Sequence, residues 1–136
     1  MSTVGTITRH PAVVQISVPN NSTLLRGMGV FIDSGTKLAR VPGATTENVY
    51  GIATMDADTD MLYVSVAAGR GGFTVQIKPS GAVTFAIGDP VYYNSTALDG
   101  SFTNVVGTGL GATKIGWIVD KSVDAYGLVE MAFVTA

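Results

Sequence analysis

Short runs of apolar and β-branched residues, each bounded by Gly, Pro, Asn, Asp or Ser, recur along the whole sequence. Runs of this kind are typical of β-strands joined by tight turns. No window keeps apolar residues at helical spacing for three turns, so no long amphipathic helix is expected. We therefore predict an all-β fold, a small antiparallel β-barrel or sandwich. Its strands are predicted at residues 13–18, 28–32, 50–54, 62–66, 73–78, 91–93, 115–119 and 128–134.

Two segments give the clearest strand signals. Phe73-Thr74-Val75-Gln76-Ile77-Lys78 alternates apolar and polar residues over its whole length, which places its apolar side chains on one buried face. Gly88-Asp89-Pro90 precedes the apolar run Val91-Tyr92-Tyr93. Proline has no amide donor and forces the preceding residue toward extended geometry, so this segment predicts a turn that leads directly into a strand.

The length of 136 residues fits one domain with a substantial core. We predict an extended N-terminal arm at residues 1–12 and a single β-barrel or sandwich domain at residues 13–136. The arm segment is rich in Thr and Val, a composition suited to pairing with another protein by strand addition. A frayed terminus or an edge strand of the same domain is the alternative. No internal repeat is recognisable in the sequence.

Composition excludes several classes of function. The chain has no cysteine, so disulfides, thiolate zinc sites and thiol catalysis are excluded, and it has only one histidine. The basic residues are dispersed, which disfavours nucleic-acid binding. The sequence starts with no secretion signal and contains no apolar run of membrane-spanning length, so synthesis in the cytoplasm without export and without a membrane partner is expected.

The low charge content predicts association. Charged residues make up 13% of the chain and apolar residues 46%, whereas a typical soluble domain is roughly one quarter charged. Part of the surface is therefore expected to be buried between subunits or against a larger partner. A compact, mildly apolar monomer is the alternative.

The polar clusters do not match known catalytic or cofactor motifs. Asp56-Ala57-Asp58-Thr59-Asp60 imitates the start of a calcium loop, but Met61 and Ala67 stand where that loop needs glycine and glutamate, so a polar turn is predicted. The glycine-rich segments 69–72 and 107–111 lead into strands rather than into phosphate-binding helices. We predict no catalytic, metal-binding or cofactor-binding residues, no cofactor and no enzymatic activity.

Several segments together resemble a known family. They are Gly51-Ile52-Ala53, Gly88-Asp89-Pro90-Val91-Tyr92, Ile115-Gly116-Trp117-Ile118-Val119 and Leu128-Val129-Glu130-Met131-Ala132-Phe133-Val134. Their order is similar to that in phage capsid cement or decoration proteins, small head-stabilising β-rich proteins of a domain-of-unknown-function family. The resemblance implies a virion protein that assembles, commonly as a homotrimer, on the outer surface of an icosahedral head. It implies that the protein bridges neighbouring major capsid subunits and has no catalytic role.

Within that interpretation, the N-terminal arm is the segment expected to contact the capsid or another subunit. The residues assigned to this interface are Val4, Thr6, Ile7, Arg9, His10 and Pro11. A carbohydrate or host-surface binding module of a head fibre or tail is the alternative function, and it would use exposed aromatic residues such as Trp117. A small β-barrel enzyme is the weakest hypothesis, because no nucleophile with a general base is recognisable.

Overall fold

The computed structural model describes residues 12–68, 73–81 and 83–133. The fold is all-β, as the sequence predicts, and contains two antiparallel five-stranded sheets. The strands of the first sheet are β1 (Ala12–Ser17), β2 (Gly29–Ile32), β3 (Ala39–Arg40), β4 (Gly51–Ala53) and β5 (Tyr63–Ala68). The strands of the second sheet are β6 (Phe73–Ile77), β7 (Pro90–Tyr93), β8 (Phe102–Thr103), β9 (Gly116–Asp120) and β10 (Val129–Phe133). One 3-10 helix spans Gly109–Ala112.

All eight predicted strands are present, with ends that differ by a few residues. Strands β3 and β8 were not predicted from the sequence. Each contains only two residues, too few to give a periodic pattern, and each pairs with the strand before it in the chain. The division of the chain into an arm at residues 1–12 and a domain at residues 13–136 stays a prediction, although Ala12 is the first residue of β1.

The two sheets have the same topology. The strand order is β1-β5-β4-β2-β3 in the first sheet and β6-β10-β9-β7-β8 in the second, so each strand of the first sheet corresponds to the strand five places later. We call residues 12–68 unit 1 and residues 73–133 unit 2. The expectation that the chain has no internal repeat is therefore wrong at the level of topology.

The correspondence extends to individual hydrogen bonds. Gly27 and Gly88 both have positive φ angles, of 86° and 89°, immediately before β2 and β7. The Gly27 amide donates to the Ala53 carbonyl and the Gly88 amide to the Ile118 carbonyl, each at 2.8 Å. Glycine is needed at both positions because other residues rarely adopt this conformation. Equivalent residues are 61 positions apart up to this point of the two units.

The turns that follow β2 and β7 are also equivalent. The Asp33 Oδ1 atom accepts the amides of the second and third residues after it, and the Asn94 Oδ1 atom does the same in unit 2. Lys37 and Leu98, which close these turns, both have positive φ. Short polar side chains at both turns therefore give the backbone the same side-chain hydrogen bonds.

From β4 onward, equivalent residues are 65 positions apart, because unit 2 has two more residues between β7 and β8 and two more in the loop after β8. Gly51 and Gly116 open β4 and β9. A side chain at either glycine would collide with the neighbouring strand, at the carbonyl oxygens of Ala67 and Ala132 respectively. Both residues are glycine because the backbones approach too closely for a Cβ atom.

The two units share a core. Val30, Val64 and Val66 lie in a hydrophobic cluster inside unit 1. The second cluster is built from unit 2 but also includes Ile52 and Ala67, which lie on the outer face of the first sheet. Unit 2 therefore covers one face of unit 1, and we call this contact the junction.

Tyr93 occupies the centre of the junction. Its buried hydroxyl group donates to the Pro42 carbonyl at 3.0 Å and accepts the Gly100 amide at 2.8 Å. Its ring meets Phe102 edge to face, with centroids 5.7 Å apart. A Cβ atom on Gly29 would lie 3.0 Å from the Tyr93 ring, so glycine allows this close approach. Burial raises the pKa of Tyr93 to about 12.

The loop between β3 and β4 supports the junction from the side of unit 1. Arg40 binds Glu47 through two parallel hydrogen bonds of 2.9 and 2.6 Å, and the Gly43 amide donates to the same carboxylate. Farther along the loop, the Thr45 carbonyl accepts the Leu110 amide of unit 2 at 3.0 Å. The hydrogen bonds from Arg40 lower the pKa of Glu47 to about 2.

Replacing Tyr93 by phenylalanine should destabilise the protein by about 1–3 kcal/mol, because the Pro42 carbonyl and the Gly100 amide would lose a buried partner. The unfolding free energy from urea titration measures this change. Tyr126→Phe is the matched control, because Tyr126 is 66% exposed. Equal stability of the Tyr93→Phe variant and the wild type would contradict the role assigned to Tyr93.

The Arg40–Glu47 pair should make stability depend on pH. The pKa of Glu47 falls from 4.5 to about 2 on folding, so its contribution is complete above pH 4.5 and is lost as the pH falls toward 2. We expect Glu47→Gln to cost about 1 kcal/mol at neutral pH, since the Arg40 side chain is 39% exposed, and less at pH 2. Unfolding midpoints of the variant and the wild type over this pH range provide the measurement.

Glu130→Gln is the matched control, because it also removes one carboxylate, but Glu130 forms no ion pair within the described residues. A difference between Glu47→Gln and the wild type that stays constant down to pH 2 would show that the ion pair does not stabilise the loop.

Candidate interaction surfaces

The acidic cluster at residues 56–60 forms a turn, as predicted. The Asp56 Oδ1 atom accepts the Arg26 amide at 2.9 Å. The Asp58 Oδ1 atom accepts the amides of Asp60 and Met61 at 3.1 and 3.0 Å. Within residues 12–68, 73–81 and 83–133, no group of three or more acidic or histidine side chains is arranged to hold a metal ion. The Asp58 carboxylate thus holds its own turn, and the Asp56 carboxylate joins the cluster to the segment before β2.

The acidic residues near β7 and β9 have a similar role. The Asp89 Oδ2 atom accepts the Ala86 amide at 2.8 Å and the Asn104 side-chain amide at 3.0 Å. These two hydrogen bonds hold the pKa of Asp89 below its usual value. Hydrogen bonds from Ser122 lower the pKa of Asp120 in the same way. Each carboxylate fixes the turn beside its strand, including the predicted Gly88-Asp89-Pro90 turn.

The glycine-rich segment 107–111 brings unit 2 against unit 1. Gly109 has a φ angle of 58°, and a side chain there would collide with Thr45 of unit 1. The segment forms one 3-10 turn and then leads into a strand, β9, as predicted. The other glycine-rich segment, 69–72, lies outside the described residues.

Unit 2 exposes an apolar surface on the outer face of the second sheet. Trp117 is 39% exposed, Val119 41% and Ile87 66%. Trp117 pairs with Pro90 on one side and with Ala132 on the other. We call these five residues the β9 face. Pro90, Trp117 and Ala132 lie side by side on neighbouring strands, Val119 follows in β9, and Ile87 lies in the turn before β7. Exposed apolar side chains grouped in this way are typical of an interaction site.

Lys114 lies at the edge of the β9 face. Its Nζ atom is 3.9 Å from the centroid of the Trp117 ring, a cation–π contact. Tyr93, another aromatic residue in an apolar strand, is completely buried. From the sequence, Trp117 and Tyr93 are equally good candidates for a binding surface, because both are aromatic residues in apolar strands. Only the structure shows that Trp117 is exposed and Tyr93 is buried.

The predicted arm interface, Val4, Thr6, Ile7, Arg9, His10 and Pro11, lies outside the described residues. The β9 face and the junction were not predicted from the sequence. Ile52 and Trp117 occupy equivalent positions in strands with the same pattern, Gly51-Ile52-Ala53 and Gly116-Trp117-Ile118. This shared pattern is the local sequence signal from which the outer face of unit 1 and the β9 face of unit 2 could have been recognised as equivalent.

In the described part of the chain, no helix is long and apolar enough to cross a membrane.

Comparison with known families identifies the type of protein. A family model described as XM1 gp53 minor capsid protein matches residues 3–133, which include both units. No curated protein matches the chain. The match confirms the predicted resemblance at the level of a phage capsid protein, and it makes the chain a structural component of a phage virion. The chain belongs to the XM1 gp53 minor capsid protein family.

Proposed function

We propose that this minor capsid protein binds the outer surface of the assembled phage head and stabilises the shell by bridging major capsid subunits. The family match over residues 3–133 carries the proposal, because it associates the chain with the capsid. The low charge content and the exposed β9 face support attachment to another protein surface.

Shell stabilisation follows from mass action. A protein that binds the assembled shell more tightly than dissociated subunits shifts the equilibrium toward the shell. When the free concentration of the protein is 100 times its dissociation constant, binding at one site stabilises the shell by about 2.7 kcal/mol. A head offers many equivalent sites. Modest contacts at each site are therefore enough for a large total effect, and catalysis is not needed.

We assign no enzymatic activity and no cofactor to the protein, and we expect the major capsid protein rather than nucleic acid or a membrane as its partner. The Asp58 and Asp89 carboxylates are engaged in turns and the Glu47 carboxylate in the pair with Arg40, which supports a structural role. A homotrimer is the favoured oligomer, as the resemblance to cement proteins implies.

The edge of the first sheet supports the role proposed for the N-terminal arm. β1 is an edge strand, and its pairing with β5 leaves the backbone groups of Val13 and Gln15, the residues of this edge nearest to the arm in sequence, pointing away from that partner. This edge adjoins the arm segment in sequence, and we infer that the arm pairs with a strand of the capsid.

Binding to purified heads tests the proposed function. Empty expanded shells of the corresponding phage, prepared without this protein, are mixed with the purified chain. We expect the chain to sediment with the shells and to raise their disruption temperature in calorimetry. Failure to bind, or binding with no change in that temperature, would contradict the proposed stabilising role.

Deleting the N-terminal arm should weaken attachment to the shell. A variant that lacks residues 1–11 keeps the whole of β1, so its fold should be retained. We expect reduced co-sedimentation with expanded shells, and Arg9→Ala combined with His10→Ala in the full-length chain tests the polar part of the arm separately. Unchanged binding of the deletion variant would show that the arm does not contact the capsid.

The exposed Trp117 favours a second candidate, a module that binds carbohydrate on a host surface. Sugars stack on open aromatic rings, but Lys114 already lies over the Trp117 ring. A glycan array and titration of the Trp117 fluorescence test this candidate. A specific glycan that changes the emission would favour it over the capsid role.

A further inference from the structure

We propose that the β9 face of unit 2 binds unit 1 of a second copy of this chain, in the same way that the outer face of unit 1 binds unit 2 within one chain. The contact is head to tail, since two different surfaces meet. It goes beyond the capsid-binding proposal and does not depend on it, because it is formed without the shell.

Each unit has a row of residues across the middle of its sheet, and the two rows are equivalent. Gly29, Ile52 and Ala67 form a row across β2, β4 and β5 on the outer face of unit 1. Ile52 and Ala67 are completely buried, because unit 2 covers them. The row therefore depends on a neighbouring unit to remove it from water.

The equivalent row in unit 2 consists of Pro90, Trp117 and Ala132 on β7, β9 and β10. Trp117, the counterpart of the buried Ile52, is 39% exposed. The same position thus carries a larger apolar side chain in unit 2, and the residues that the structure describes do not cover it as unit 2 covers Ile52. An exposed large apolar residue at a position built for burial indicates a missing partner.

In unit 1, the Tyr93 and Phe102 rings of unit 2 lie over Gly29 in this row, and further contacts of unit 2 lie beside the row. The Lys78 amide, just after β6, donates to the Gly27 carbonyl at 2.9 Å. The Tyr126 ring of unit 2 lies 4.3 Å from the Arg26 guanidinium carbon. These contacts place the end of β6 and the turn between β9 and β10 against the residues that lead into β2.

The counterparts of these residues define the intermolecular contact. Ser17 corresponds to Lys78, and Gly88 to Gly27, but the Ser17 amide makes no such bond to Gly88 within the described residues. The register of β1 leaves this amide pointing away from β5, toward the outside of the sheet. It is thus available to donate to the Gly88 carbonyl of another copy.

The side chains at the contact are complementary. Met61 corresponds to Tyr126, and Ile87 corresponds to Arg26. Met61 is 70% exposed and Ile87 is 66% exposed. Both therefore present apolar surface at the positions that Tyr126 and Arg26 occupy in the junction. Thr54 lines a hollow of about 100 Å³ beside β6 at the junction, and its counterpart Val119 is apolar and 41% exposed. Apolar pairs would gain free energy from burial between two copies.

A second copy fits this surface better than an unrelated partner, because the chain already contains both halves of the contact. A head-to-tail contact uses one surface of each copy and leaves the other available for the next. Repetition of the contact therefore gives a closed ring or an open chain of copies, whereas a two-fold dimer would pair identical surfaces.

Light scattering tests the contact in the absence of capsid. The wild-type chain should have a mass that is a multiple of 14.0 kDa and that falls toward 14.0 kDa on dilution. Trp117→Glu and Met61→Glu should each raise the dissociation constant of the contact between two copies by about 100-fold or more. Each substitution would place an unpaired charge in the buried contact. Val106→Glu is the matched control, since Val106 is 59% exposed and lies in the loop that is longer in unit 2.

Mixing the two variants distinguishes head-to-tail assembly from a two-fold contact. The Met61→Glu chain keeps an intact β9 face, and the Trp117→Glu chain keeps an intact unit 1 surface. An equimolar mixture should therefore form dimers and nothing larger. Ile87→Glu replaces Trp117→Glu if the latter does not fold, because Ile87 lies in an exposed turn. A monomeric wild type, unchanged assembly of Met61→Glu, or a mixture without dimers would overturn the proposal.

Discussion

Unit 2 covers the outer face of unit 1, and this contact determines how the rest of the chain is arranged. Ile52 is completely removed from water there, a change worth roughly 1.5–3 kcal/mol for a side chain of this size. Gly29 allows the Tyr93 and Phe102 rings to approach the first sheet, and the Tyr93 hydroxyl group satisfies backbone groups on both sides. The apolar contact and the buried hydrogen bonds thus act together, because a displaced Tyr93 would leave two polar groups without partners.

The duplication explains why a chain of this composition would associate. The covered face of unit 1 and the β9 face of unit 2 occupy equivalent positions, but among the described residues only the first is covered by the other unit. Self-association through the β9 face and attachment to the shell through the arm use different parts of the molecule in our account. A small structural protein of a virion could then bind other copies and the capsid at once, which increases the effective strength of each contact.

Much of the fold could be predicted from the sequence, because local chemistry determines it. The alternation from Phe73 to Ile77 and the Gly88-Asp89-Pro90 turn both appear in the structure as expected. The duplication could not be predicted, because equivalent positions need only similar shape and pattern: Asp33 and Asn94 cap the same turn, and Ile52 and Trp117 share one strand position. Which apolar face is covered depends on contacts between residues distant in sequence.

In our account, unit 2 covers the outer face of unit 1 within one chain, whereas a second copy covers the equivalent β9 face of unit 2. The solvent accessibility of Trp117 tests this claim most directly. Trp117 is the single tryptophan, so acrylamide quenching of its fluorescence reports on the β9 face alone. Our account predicts strong quenching in dilute solution and weak quenching at high concentration, with a midpoint that matches the change in mass by light scattering. Quenching that stays the same while the mass increases would contradict the account, because copies would then associate through another surface.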